Sequence, residues 1–183
     1  MISLMNIKYL ASVLFTGLVL AQHNLDLEQV KATYDRFEDK TTIELTTLWN
    51  VPVPQELRAY NLSYAAPNIM VAVRCDGRAE KCAVQNATIS FEIYTKYVLY
   101  GRGVPGALLA DGERIPLTLT WKPTRIATQE IAETMAASLS ASQLKVLLVA
   151  KTIEGRIGQD EFVFSKANRD GLQRLKEKIL LPE

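Results

Sequence analysis

Histidine is almost missing from this chain: its 183 residues include one, His23, close to the N-terminal end. A Ser-His-Asp triad, a Cys-His pair or a histidine-rich metal centre therefore finds no imidazole within the body of the chain. Cysteine is nearly as scarce, with Cys75 and Cys82 alone, too few for a disulfide-dense mini-protein or a four-cysteine zinc site. A charge surplus is missing too. The net charge is +1, whereas a nucleic-acid binder needs a basic excess to displace phosphate counterions. The patterns G-x-S-x-G and G-x-x-x-x-G-K-[ST] do not occur, so neither a nucleophile elbow nor a P-loop can be placed. What remains is an ordinary globular composition, 48% apolar and 22% charged, enough to bury a core in one domain.

The one sustained apolar run lies at residues 9–21, YLASVLFTGLVLA, preceded by Lys8 and ending Val19-Leu20-Ala21. A basic start, a short apolar stretch and an A-x-A-like exit describe a secretory signal peptide over residues 1–21. At about 1.5 Å per residue such a run reaches only about 20 Å, short of a hydrocarbon core of about 30 Å, so it does not serve as a membrane span. The mature chain, residues 22–183, then carries equal numbers of acids and bases, and a neutral surface steers neither DNA nor anionic lipid over long range. His23, two residues past the expected cut, lacks the fixed surroundings that a catalytic base needs.

An oxidising destination gives the cysteines a role. Asp76-Gly77 supplies a turn signal between two strand-like flanks, so Cys75 and Cys82 are expected at the two ends of a hairpin loop and joined by a disulfide. Closing that ring stabilises a fold by about 2.5 kcal/mol on the chain-entropy account. The six-residue gap suits neither metal spacing nor a redox C-x-x-C.

Strand periodicity dominates the first two-thirds. Strands are expected over residues 29–34 and 41–48, over 68–75 with Ile69, Val71 and Val73 inward, and over 88–100 with Ile89, Phe91 and Ile93 inward. Residues 50–55, Asn-Val-Pro-Val-Pro-Gln, read as a loop. Asp111-Gly112 turns a hairpin between 107–110 and 113–117, after which Leu117, Leu119 and Trp121 share a face. A further strand is expected over 131–137. Ser140-x-x-Gln143 has capping-box spacing, so a short helix near 140–150 buries Leu144, Leu147 and Leu148. A hairpin turning at Gly158-Gln-Asp160 follows, and a last helix over 168–180 places Leu172, Leu175 and Ile179 on one face. Runs of strands with short turns imply an α+β, β-rich domain, mainly antiparallel sheet or sandwich, with these two helices covering one face or end.

Candidate chemistry is sparse. Asp35, Glu38 and Asp39 crowd one turn, where a glycosidase would need two carboxyls held about 5–9.5 Å apart across a cleft and a calcium loop would need a glycine bend. Offset by Arg36 and Lys40, they read as a solvated turn with Phe37 tucked into the core. Gly101-Arg-Gly-Val-Pro-Gly106 is glycine-rich, but no helix follows to aim amides at a phosphate, so it reads as a bend. Tyr94 and Tyr100 alternate to one side and Tyr97 to the other, covering a sheet flank or meeting a partner. Asn61-Leu-Ser63 and Asn86-Ala-Thr88 are glycosylation sequons.

The run Tyr34-Asp-Arg-Phe-Glu-Asp-Lys-Thr-Thr42, with Asp111-Gly-Glu-Arg-Ile115, the Ser140 helix, and Glu154-Gly-Arg-Ile-Gly158 with Glu161-Phe162, resembles uncharacterised exported bacterial proteins of β-rich architecture. The resemblance spans most of residues 28–180. It implies a bacterial, extracytoplasmic setting, periplasmic or secreted, and brings no catalytic or binding residues. The expected function is a non-catalytic structural or interaction domain with a protein or small-molecule partner and no cofactor. The alternatives are a small-molecule or lipid binder with a cavity between sheet and helices, and a hydrolase using carboxylates such as Asp35, Glu38 or Asp39.

Overall fold

A computed structural model describes residues 30–48, 65–78, 81–95, 98–127 and 130–181. The leader 1–21, His23, the stretch 50–55, the Asn61 sequon and Tyr97 lie outside the described residues.

Twelve strands and two helices follow one another along the described chain. The first strands are β1 (Val30–Asp35), β2 (Lys40–Leu48), β3 (Ala65–Asp76), β4 (Cys82–Ala83) and β5 (Asn86–Thr95). Next come β6 (Gly106–Ala110), β7 (Glu113–Leu117), β8 (Thr120–Ala127) and β9 (Glu130–Leu139). Helix α1 (Ala141–Val149), β10 (Ile153–Ile157), β11 (Asp160–Val163), helix α2 (Lys166–Glu177) and β12 (Ile179–Leu180) complete the order. Six strands form one sheet in the order β1-β2-β3-β5-β9-β8 and four form another in the order β11-β10-β6-β7. Every neighbouring pair in both sheets is antiparallel. The expected β-rich α+β architecture is therefore what the chain adopts, as two stacked antiparallel sheets and two helices.

Alternation decides which side is the core. In the large sheet Ile43, Leu45, Ile69, Val71, Val73, Ile89, Phe91, Ile93 and Met135 are buried on one face, as a period of two requires of a half-buried strand. That face has two covers. The small sheet meets β5 where the Phe162 ring stands edge-on to Phe91, centroids 5.6 Å apart. Helix α2 lies against β2, so close that a Cβ on Gly171 would stand 2.8 Å from Leu45 Cδ1. Both covers and both sheets contribute to one apolar cluster.

Local chemistry explains the joints. Asp111 and Gly112 both have positive φ, 47° and 86°, the two left-handed residues of a hairpin turn that matches strand twist. Ser140 caps α1 in a reciprocal box with Gln143, and Leu144, Leu147 and Leu148 are its buried residues, as the spacing predicts. Helix α2 has a second such box, Ser165 with Asn168.

Four expectations are corrected. The strand expected to reach residue 100 ends at Thr95, because the Glu133 carboxylate takes the amides of Leu99 and Tyr100 and draws the chain off the sheet. Tyr100 is thus not the alternation partner of Tyr94. The last helix stops at Glu177, since Ile179 and Leu180 pair in parallel with Cys82 and Ala83; Ile179 is buried on a strand. The hairpin expected to turn between Cys75 and Cys82 joins β3 to β5 instead, with Arg74 opposite Asn86, while β4 pairs with β12. Phe37 is 85% exposed at the tip of the β1–β2 hairpin and is not a core residue, since the turn projects it away from both covers.

Candidate functional site

The three clustered carboxylates come first. Asp35 accepts the amides of Phe37 and Glu38, at 2.8 and 3.3 Å, a turn-forming bond of the kind short acids make with their own backbone. Glu38 pairs with Arg74 at 3.2 Å. Asp39, at φ 48°, accepts the Tyr34 hydroxyl at 2.7 Å. That bond holds the Tyr34 hydroxyl above its ordinary pKa, with the nearby Asp39 charge adding to it. All three acids are exposed. They build the hairpin, and among the described residues no group of three or more His, Cys, Asp or Glu side chains could hold a metal ion.

Two sequence patterns are likewise resolved by their surroundings. Gly101, Gly103 and Gly106 have dinucleotide-loop spacing, but strand β6 follows them and not a helix, so no helix terminus faces the loop. Ser142-Gln-Leu-Lys145 has the spacing of a serine–lysine pair. Both side chains are exposed on α1, and the Ser142 hydroxyl lies 2.9 Å from that of Ser140, so no sheltered amine stands beside the serine to act as its base.

Cys75 is buried on β3 and is not a free thiol; the side chain of Cys82 lies outside the described residues. Asn86, the second sequon, opens β5 on an exposed position.

Among the described residues, one concavity lies on the outward face of the small sheet. Its 330 Å³ depression is open to solvent and lined by Leu109, Arg114, Glu154, Arg156, Glu161 and Val163, among others. The registry explains the layout. Arg114, Leu109, Glu154 and Val163 form one row across β7, β6, β10 and β11, and Ala107, Arg156 and Glu161 lie in the next. Leu109 is 39% exposed and Val163 62%, so two apolar side chains sit inside a charged frame. Among the described residues Arg114 and Arg156 enter no ion pair. Beneath the floor the Phe162 ring presses on Gly155, where a Cβ would come within 2.2 Å of it, an aromatic ring covering a strand glycine.

A second depression, 610 Å³ and open, is lined by the hydroxyl residues Thr88, Thr118, Thr120 and Ser138 with Gln143. Neither concavity is the enclosed apolar cavity expected of a lipid carrier. The space between the layers is taken by Phe91, Phe162, Phe164, Leu108 and Met135, all buried.

Glu133 is the polar residue that sequence reading passed over. It is fully buried, and its carboxylate accepts from Leu99 N at 2.6 Å, Tyr100 N at 3.0 Å and Trp121 Nε1 at 2.8 Å. The clue was its parity, since Ile131, Glu133, Met135 and Ala137 share the inward side of β9. Its donors are backbone and indole groups of this chain, so its task is to clamp the loop that carries the chain between sheets. The depression had its own clue: Leu108 and Leu109 are both apolar, and a strand can turn only one of them inward.

No protein-family model matches this chain, and no curated protein matches it.

Proposed function

We propose that this chain is an exported, non-catalytic recognition domain whose contact surface is the outward face of the small sheet. One observation carries the reading: exposed Leu109 and Val163 lie between arginines and glutamates that are not paired with one another. An apolar centre with a polar rim is the anatomy of a protein contact site. A volume of 330 Å³ falls at the lower end of the ~300–1,000 Å³ of ligand sites. Being open, it shelters one or two side chains of a partner better than a whole small molecule. The partner of matching chemistry is an extracytoplasmic polypeptide segment that offers an apolar side chain flanked by an acid.

Export rests on the leader over residues 1–21. An extracytoplasmic destination suits the Cys75–Cys82 disulfide, which Cys75's bonded state supports in a chain with two cysteines. Two measurements test the whole reading. N-terminal sequencing of the protein recovered from its native envelope should begin near Gln22. A photo-crosslinking residue placed at Leu109 or Val163 should capture one discrete partner in the producing cell, and the same residue at Thr124 should not. Turnover of any substrate that a single carboxylate substitution abolishes would replace the non-catalytic reading.

A further inference from the structure

Sheet edges offer unpaired backbone groups, and proteins blunt those they do not use with proline, bulges, charge or shortness. Four edges can be compared here. Strand β8 carries Pro123 and a register shift between Arg125 and Ala127. Strand β7 carries Pro116. Strand β11 is four residues long and includes Asp160 and Glu161. Of these devices strand β1 has charge alone, one residue of each sign, Lys31 and Asp35. It contains no proline, and its pairing with β2 runs in unbroken register from Val30↔Leu45 to Asp35↔Lys40. Five of its six residues are exposed.

We infer that β1 is a homotypic interface, at which a second copy of this chain adds its own β1 antiparallel, with Thr33 opposite Thr33. The side-chain pattern of the strand selects both the occupant and the register. Lys31, Thr33 and Asp35 stand on one face, level with Glu44, Thr42 and Lys40, and Ala32 and Tyr34 stand on the other, level with Ile43 and Thr41. A two-fold axis through Thr33 sets Lys31 of each copy opposite Asp35 of the other and Ala32 opposite Tyr34. Opposite charges, paired threonines and an aromatic on a small residue are each favourable cross-strand neighbours. A shift of one residue in one sense sets Val30 opposite Asp35 and Lys31 opposite Tyr34, and unmatches both charges. Lys31 is free to make the contact, since among the described residues it enters no ion pair. The contact is a single strand of six residues, about 20 Å long, and one strand pair covers only part of the ~800 Å² per partner of a standard interface. The dimer is therefore a weak one that assembles at high local concentration and joins two large sheets into one.

Site-specific cross-linking tests it. Directly opposed cysteines on antiparallel strands fall within disulfide reach, so Thr33→Cys should cross-link to itself under mild oxidation about tenfold faster than Thr124→Cys on β8. Lys31→Glu, added to Thr33→Cys, should slow that cross-link, because it faces Asp35 with a like charge; raising the salt should slow it as well. Sedimentation of the unmodified chain should show dimer growing with concentration. A monomer at every concentration, or equal cross-linking at residues 33 and 124, would overturn the inference. Capture at Leu109 is a separate readout, so the two surfaces stand or fall independently.

Discussion

Glu133 concentrates more consequence than any other single side chain. A buried carboxylate is tolerated where its oxygens are met by donors, and here two amides and an indole meet them. Glu133→Leu would leave all three N–H groups without an acceptor. With about 1–3 kcal/mol lost per orphaned buried donor, the expected destabilisation is about 3 kcal/mol or more. Glu133→Gln keeps one acceptor oxygen and should cost less. Urea unfolding followed by tryptophan fluorescence would read both, and equal stability of Glu133→Leu and the parent would refute the clamp. Asp111 gives the complementary case of a useful exposed acid. The amide of Lys151, then that of Thr152 and the Thr152 hydroxyl, hold its carboxyl below the usual range. A lowered folded pKa means stability that is present above the unfolded value and is lost as pH falls through the folded one. Asp111→Asn preserves the turn but not the charge. It should therefore remove part of the acid-induced destabilisation that appears below about pH 4, measured as a flatter profile of melting temperature against pH.

Among the elements, helix α2 shows best how sequence, capping and packing combine. Asn168 is buried and serves both purposes: its Oδ1 accepts from Ser165 N at 2.7 Å, and its Nδ2 donates to Thr47 Oγ1 on β2 at 2.7 Å. One residue therefore starts the helix and ties it to the sheet. In Asn168→Ala the Ser165 hydroxyl still accepts the residue-168 amide, but the Ser165 amide loses its acceptor and the buried Thr47 hydroxyl its donor, so the change is expected to cost about 1–3 kcal/mol. Asn168→Asp retains the capping oxygen and should fall between the two. Thermal unfolding of the pair separates the cap from the tie, and a loss for Asn168→Ala no larger than that of Ser140→Ala on α1 would show that the tie is idle. Capping at Ser140 was legible because Gln143 completes a familiar spacing. Capping at Ser165 was harder to see, because asparagine stands where glutamate or glutamine is customary.

Across the whole molecule, the segment after α2 is brought into the body by a very small sheet. Two residues of β12 pair with two of β4, and Val84 N donates to Leu180 O at 3.1 Å. Four paired residues hold little by themselves, and the proposed Cys75–Cys82 bond would tie β4, and with it β12, to β3. Reduction, or Cys82→Ser, should therefore lower the unfolding free energy by about 2.5 kcal/mol. Exchange protection at Ile179 and Leu180 should fall before that of Ile89 or Phe91 at the centre of the large sheet. Uniform loss across both regions would contradict a local strap.

Alternating apolar residues were sufficient to place Ile69, Val71, Val73, Ile89 and Phe91 inward, because a pleated backbone leaves a strand no other choice. Asp111-Gly112 and Ser140-Gln143 were equally plain, since their bonds close within a few residues. What the chain alone could not disclose depends on residues far apart in sequence. Glu133 meets Leu99, β12 meets β4, and Arg114 shares a depression with Val163 only once four strands are in register. Local sterics and hydrogen bonding determined the elements; long-range pairing decided which side chains stand together, and so where this protein has a surface to offer.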